Sequence, residues 1–134
     1  PMAFAAVQGM VPNVAWCMLL ANICWSLAYD TEYAMVDRPD DLKIGIRSSA
    51  ITFGRFDVWM VMFFYAAMLA VMSYIGVILG LNQVYYLGLT AAALVACYHY
   101  MLIKNRQPDR CFKAFLHNNW LGALIFAGIF FNYL

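Results

Sequence analysis

The stretch YDTEYAMVDRPDDLKIGIRSSAITFG, Tyr29 to Gly54, places Asp30, Glu32, Asp37, Asp40 and Asp41 beside Lys43 and Arg47. Carboxylates are costly to bury unpaired, so acids set among apolar residues need either water or a cation. Their spacing is suggestive. Asp30 and Asp37 stand seven residues apart, two helical turns, and Asp37 and Asp41 four apart, one turn. On a continuous helix these three would project a line of oxygen ligands. Oxygen-only ligands suit a hard cation, Mg²⁺ above all, which retains waters and bridges carboxylates to phosphates. Lys43 and Arg47, again one turn apart, could then meet phosphate charge directly. The plainer alternative is a solvated loop whose acids pair with neighbouring bases at little gain. Spacing alone leaves both open.

The elements that must carry these groups are nearly all apolar. Of 134 residues, 66% are hydrophobic and 17% aromatic, while 11% are charged; a soluble domain carries roughly 25% charged residues. All eight Lys and Arg and all seven Asp and Glu fall within 30–57 or 104–113. Charge-free runs of ~18 or more residues are transmembrane helix candidates, and 58–103 and 114–134 are charge-free throughout. The fold class expected is therefore all-α, a polytopic helix bundle in a lipid bilayer. Nucleic acid is an unsuitable partner, since no basic patch stands clear of compensating acids. The four cysteines form no CxxC pair, and three lie in apolar runs as small buried hydrophobes.

Turn residues divide the chain into four spans after a helical stub at 1–8. Gly9, Pro12 and Asn13 open the first span, about Val14–Tyr29. Gly80 to Gln83 separate Val58–Leu79 from Val84–Ile103, and the last span is roughly Ala114–Leu134. Residues 30–57 are then a long charged loop and 104–113 a short one, alternate connections that share a side. Each carries four basic residues, so the positive-inside rule puts both in the cytoplasm or its equivalent. Trp16, Tyr85 and Tyr86 suit the opposite boundary, and Gly76 with Gly80 reads as a helix-packing pair. His99 and His117 have no partner at ligand or triad spacing and read as packing or interface groups. Asn118 and Asn119 read as caps or interhelical hydrogen bonds. The opening Pro-Met-Ala-Phe lacks an initiator Met and a basic n-region; it is not a signal peptide, and a start inside a longer protein is expected.

The string D-x-x-Y-A-x-x-D-x-x-D-D-x-x-I-G-I-R-S-x-A-I-x-F-G, Asp30 to Gly54, resembles the second aspartate-rich motif of the UbiA superfamily of intramembrane prenyltransferases. The Tyr33-Ala34 pair within it favours the 4-hydroxybenzoate branch of ubiquinone biosynthesis. PMAFAAV, LANICWSLAYDTEYAMVD and CFKAFLHNNWLG resemble bacterial members as well. The likeness covers essentially the whole chain, as the C-terminal half of one UbiA-type membrane domain, with 30–57 its cytoplasmic active-site loop.

The resemblance implies a nine-helix bundle in which two aspartate-rich motifs hold Mg²⁺ on an isoprenoid diphosphate. Asp37 and Asp41 match the motif aspartates expected to bind magnesium and act in catalysis, and Asp30 is the third candidate ligand. Lys43 and Arg47 match basic residues near the diphosphate; Arg47 stands where relatives often have Lys. Pro39 departs from the pattern, and a break after Asp37 with a restart at Pro39 is expected there. The implied reaction moves a polyprenyl group from polyprenyl diphosphate to the ring of 4-hydroxybenzoate, in a bacterial inner membrane. The first aspartate motif would lie in a missing N-terminal half, so the 134-residue piece alone is expected to be inactive. A UbiA-type enzyme with another acceptor is the near alternative. A divalent-cation transporter subunit is the distant one, and it would call for ionisable residues inside the spans. Residues 58–79 and 84–103 offer almost none beyond Ser73, Asn82 and His99.

Overall fold

The structure, a computed structural model, describes all residues from Pro1 to Leu134. It is built of helices: α1 (Met2–Gln8), α2 (Asn13–Ile44), α3 (Ser49–Phe53), a 3-10 turn at Gly54–Phe56, α4 (Asp57–Leu79), α5 (Gln83–Ile103) and α6 (Pro108–Asn132). Gly9, Gly45 and Gly80 end α1, α2 and α4 in the left-handed conformation, at φ 68°, 77° and 62°, which costs a residue without a Cβ little. Asn82 caps α5 by accepting from the Val84 N–H at 2.8 Å, and Pro108 opens α6 where its missing N–H is harmless.

The long charged loop expected at 30–57 is mostly helix. At 1.5 Å per residue the 32 residues of α2 extend about 48 Å, well beyond the ~30 Å hydrocarbon layer. Only residues 45–48 lack helical structure before α3 begins. Nor does the chain break at Pro39, which lies inside α2. Proline removes one rung, its own N–H to the Met35 carbonyl, but Arg38 is tied to Asp57 at 2.9 Å just before it. Gly45 and Ile46 cap the Asp41 carbonyl just after it.

Three stretches are long and apolar enough to cross a membrane: Ser49–Leu79, Gln83–Ile103 and Pro108–Asn132. The fourth span expected at 14–29 does not join them; Asn13, Asn22 and the approach to Asp30 dilute its apolar run. The chain is thus a multi-pass membrane helix bundle. Its core follows the inner faces of α2, α4, α5 and α6, with Ala28, Val61, Ala92 and Leu121 wholly enclosed. Small residues let backbones approach: a Cβ on Gly88 would stand 2.8 Å from both the Gly128 Cα and the Leu124 carbonyl. That is the close glycine contact between helices. Gly76 instead clears space for the Tyr85 ring, and Gly80 is the end cap of α4 rather than a packing residue.

Candidate active site

The acidic face of α2 follows from its unbroken geometry. At about 100° per residue, Asp37 and Asp41 project about 40° apart, with Asp30 between them. Asp30 is exposed and Asp37 and Asp41 half-buried, and none of the three makes a side-chain hydrogen bond or ion pair. Tyr33 joins the same side, exposed at one edge, its ring centroid 5.0 Å from that of Phe115 of α6 with the planes tilted by 55°. The three aspartates do not by themselves gather into a metal-holding group; no three His, Cys, Asp or Glu side chains in the chain do. A hard cation that retains waters and phosphate oxygens needs only one or two carboxylates, and Asp37 and Asp41 one turn apart fit that demand.

The basic candidates are placed differently. Because α2 ends at Ile44, Lys43 and Arg47 do not share a helix. Lys43 leaves α2 about 160° round from Asp41 and donates to Asp40 at 2.9 Å. That hydrogen bond and the Asp40 charge raise the Lys43 pKa above its ordinary 10.5. Arg47 is exposed in the 45–48 segment and has no side-chain partner.

Beneath the acidic helix end lies a carboxylate of another kind. Asp57 is wholly buried at the start of α4. It accepts from Arg38 Nη1 at 2.9 Å, from Arg106 Nε at 2.9 and 3.0 Å, and from Arg106 Nη2 at 2.7 Å. The Val58 N–H adds a fifth bond at 2.7 Å. Arg106 Nη2 also donates to the Arg55 carbonyl at 2.9 Å. These bonds join the two charged connections at one end of the bundle, as alternate connections require. The hydrogen bond to Asp57 raises the Arg106 pKa, so its charge is secure.

A second buried cluster lies on the opposite face of α2. Glu32 projects about 160° from the middle of the aspartate face, is wholly enclosed, and accepts from Tyr65 at 2.9 Å and from Asn118 Nδ2 at 2.6 Å. His99 Nδ1 stands 3.1 Å from the Tyr65 hydroxyl and 3.3 Å from Glu32 Oε1. Asn118 Oδ1 receives the Trp25 indole N–H at 3.0 Å and faces the Tyr65 hydroxyl at 2.9 Å. Tyr65 has one proton for these two oxygen neighbours. His99 Nε2 meets His117 Nδ1 at 3.3 Å, so the two histidines partner each other across α5 and α6. Asn118 does hydrogen-bond between helices, as its position suggested. Glu32, Tyr65 and Asp57 were not singled out from sequence. Glu32 alone carried a signal: among the acids of 30–41 it falls opposite the aspartate line once the helix is drawn through.

A multi-pass membrane bundle whose charged end presents an unpaired aspartate face is the class defined so far. The UbiA prenyltransferase family model matches residues 1–131, and the chain belongs to that family. It is 63% identical over 134 residues to a 4-hydroxybenzoate octaprenyltransferase of Azoarcus sp. (strain BH72), covering 100% of this chain and 47% of the relative. It is 65% identical over 128 residues to one of Cupriavidus necator (strain ATCC 17699 / DSM 428 / KCTC 22496 / NCIMB 10442 / H16 / Stanier 337), covering 96% and 45%. The chain thus spans about half the length of the curated relatives it matches. No solved structure matches it significantly.

Proposed function

We propose that the full-length protein transfers a polyprenyl group from polyprenyl diphosphate to the ring of 4-hydroxybenzoate, within ubiquinone biosynthesis. The names of its relatives support this reading. The observation that carries it is the row of Asp30, Asp37 and Asp41 on one face of α2, free of internal partners. Carboxylates left unpaired at a membrane boundary are suited to a divalent cation.

Asp37 and Asp41 would hold Mg²⁺, with Asp30 the third candidate. When bound, the ion would neutralise the diphosphate and make it a better leaving group. Arg47, free of internal partners, and Lys43, once released from Asp40, would meet the remaining diphosphate charge. The apolar walls of the bundle exclude water from the allylic cation left by diphosphate departure. The ring carbon ortho to the phenol attacks that cation, and proton loss restores aromaticity. The other ligands would come from an N-terminal half of the same protein. The setting is a bacterial inner membrane, with the charged end of the bundle cytoplasmic.

A cation-transport reading would draw on the buried Glu32 cluster. That cluster is enclosed, and each of its polar side-chain atoms already has a partner within the bundle, which suits a helix-joining network better than an ion path. The deciding experiment is prenyl transfer by the purified full-length protein. Activity is expected to disappear on chelation, to return with Mg²⁺, and to fail in Asp37→Asn and Asp41→Asn. Near-normal rates in both variants would overturn the metal-ligand assignment. The 134-residue chain alone is expected to give no product.

A further inference from the structure

We infer that Asp57 is a positioning residue which, through Arg38 and Arg106, holds Asp37 and Asp41 on a common face of α2. The inference rests on the metal-binding reading above and adds to it three residues outside the aspartate face.

Three observations converge. First, the geometry is a tie between otherwise separate segments. One carboxylate receives Arg38 from α2, Arg106 from the turn between α5 and α6, and the Val58 N–H of its own helix. The same guanidinium groups reach the chain between α3 and α4, Arg106 to the Arg55 carbonyl at 2.9 Å and Arg38 to that of Gly54 at 3.5 Å. Second, the tie costs backbone strain. Arg106 is the one non-glycine residue at positive φ, 53°, a conformation disfavoured for an ordinary L-residue by contact between its Cβ and the following carbonyl. Such strain persists where surrounding contacts over-determine it, and it concentrates at functional sites. Third, the tie falls where α2 most needs it. Asp37 lies before Pro39 and Asp41 after it, so the two carboxylates share a face only if the helix keeps its phase across the missing rung. Arg38 lies between Asp37 and Pro39, and its side chain is the one anchored.

Burial sets how firm the tie is. Asp57 is 0% exposed, whereas the Arg38 and Arg106 side chains are 31% and 40% exposed. The carboxylate is therefore the fixed point, and each guanidinium can be substituted from the surface side. Charge-assisted, bidentate Arg–carboxylate bonds are about twice as strong as neutral ones and directional as well, so a lysine would preserve the charge but not the aim.

The test uses the full-length protein in detergent or nanodiscs. Mn²⁺ binding is read by electron paramagnetic resonance with an unreactive thio-analogue of the polyprenyl diphosphate, and thermal unfolding is measured alongside. Arg106→Ala and Arg38→Ala are each expected to weaken Mn²⁺ binding by roughly tenfold, the lower end for residues that orient metal ligands. The double variant should be far less than a hundredfold weaker, since both arginines act through one carboxylate. Arg106→Lys should recover stability more fully than metal affinity. In turnover, the Mg²⁺ concentration for half-maximal rate should rise while the rate at saturating Mg²⁺ largely returns. Unchanged Mn²⁺ affinity in folded arginine variants would overturn the inference, whatever happens to their melting temperature. Asp37→Asn is the control: if it leaves Mn²⁺ binding intact, the metal-site reading fails and this inference with it. If it abolishes binding while the arginine variants do not weaken it, only the positioning role fails.

Discussion

The two faces of α2 use the same chemical group in opposite ways. On the inner face, Glu32 is enclosed, and each carboxyl oxygen is engaged by Tyr65 or Asn118. On the outer face, Asp30, Asp37 and Asp41 have no partner at all. The inner carboxyl is enclosed among the side chains it bonds and joins helices together. The outer carboxylates make no internal hydrogen bond or ion pair, so their oxygens stay available to bind. Position around the helix, about 160° of rotation, separates the two roles. Asp57 is intermediate: buried like Glu32, but turned by its two arginines into a support for the outer face.

The comparison can be broken most directly in one assay of the full-length protein. Asp37→Asn is expected to lower turnover at least a hundredfold while leaving the melting temperature unchanged. Glu32→Gln should keep turnover within a few-fold, since an amide can accept from Asn118 and donate to Tyr65. Equal losses in the two variants would erase the distinction between faces. Next in size is Glu32→Ala, which leaves Tyr65, Asn118 and His99 facing a void. It should destabilise the bundle by about 3 kcal/mol in reversible unfolding, against about 1 kcal/mol or less for Glu32→Gln. Gly128→Ala tests packing away from either face. Its Cβ would meet the Tyr85 carbonyl at 3.1 Å and the Gly88 Cα at 3.2 Å, and overpacking of this kind costs roughly 1–3 kcal/mol. Smallest is the exposed Asp40–Lys43 pair, where Asp40→Asn should leave the melting temperature unchanged. Its pH dependence has a definite sign. A lysine whose pKa is raised by folding stabilises below its unfolded value and loses that contribution only as pH climbs through the folded one. Both lie at or above 10.5, so the contribution is fully present and constant between pH 6 and 9, and a melting curve should show no Lys43-dependent change across that range.

Much of the bundle was legible because lipid imposes a coarse rule on sequence. The charge-free runs marked α4, α5 and α6 to within a few residues, except that α6 begins at Pro108 rather than near Ala114. Gly80 and Asn82 marked the turn between α4 and α5 by their backbone chemistry. The region 30–57 reads as loop from its charge, which suggests irregular backbone, whereas a helix can leave the membrane and continue in water. Pro39 strengthens that reading; the support that lets it stay helical comes from Asp57, 18 residues further on, and from Arg106, 67 further. The aspartate face was legible from its four- and seven-residue spacing. The Glu32 cluster was not, since its members lie up to 86 residues apart. Nothing local in Tyr65 or His99 distinguishes a buried hydrogen-bonding group from a packing one.

The confinement of formal charge to one end of the bundle has a consequence for how the protein is made. Carrying a single Asp, Lys or Arg through the centre of the bilayer costs about 2.5–3.5 kcal/mol on insertion scales, and eight basic and seven acidic residues sit at that end. A molecule inserted upside down could not right itself. The orientation the chain takes on entering the bilayer is therefore the one it keeps.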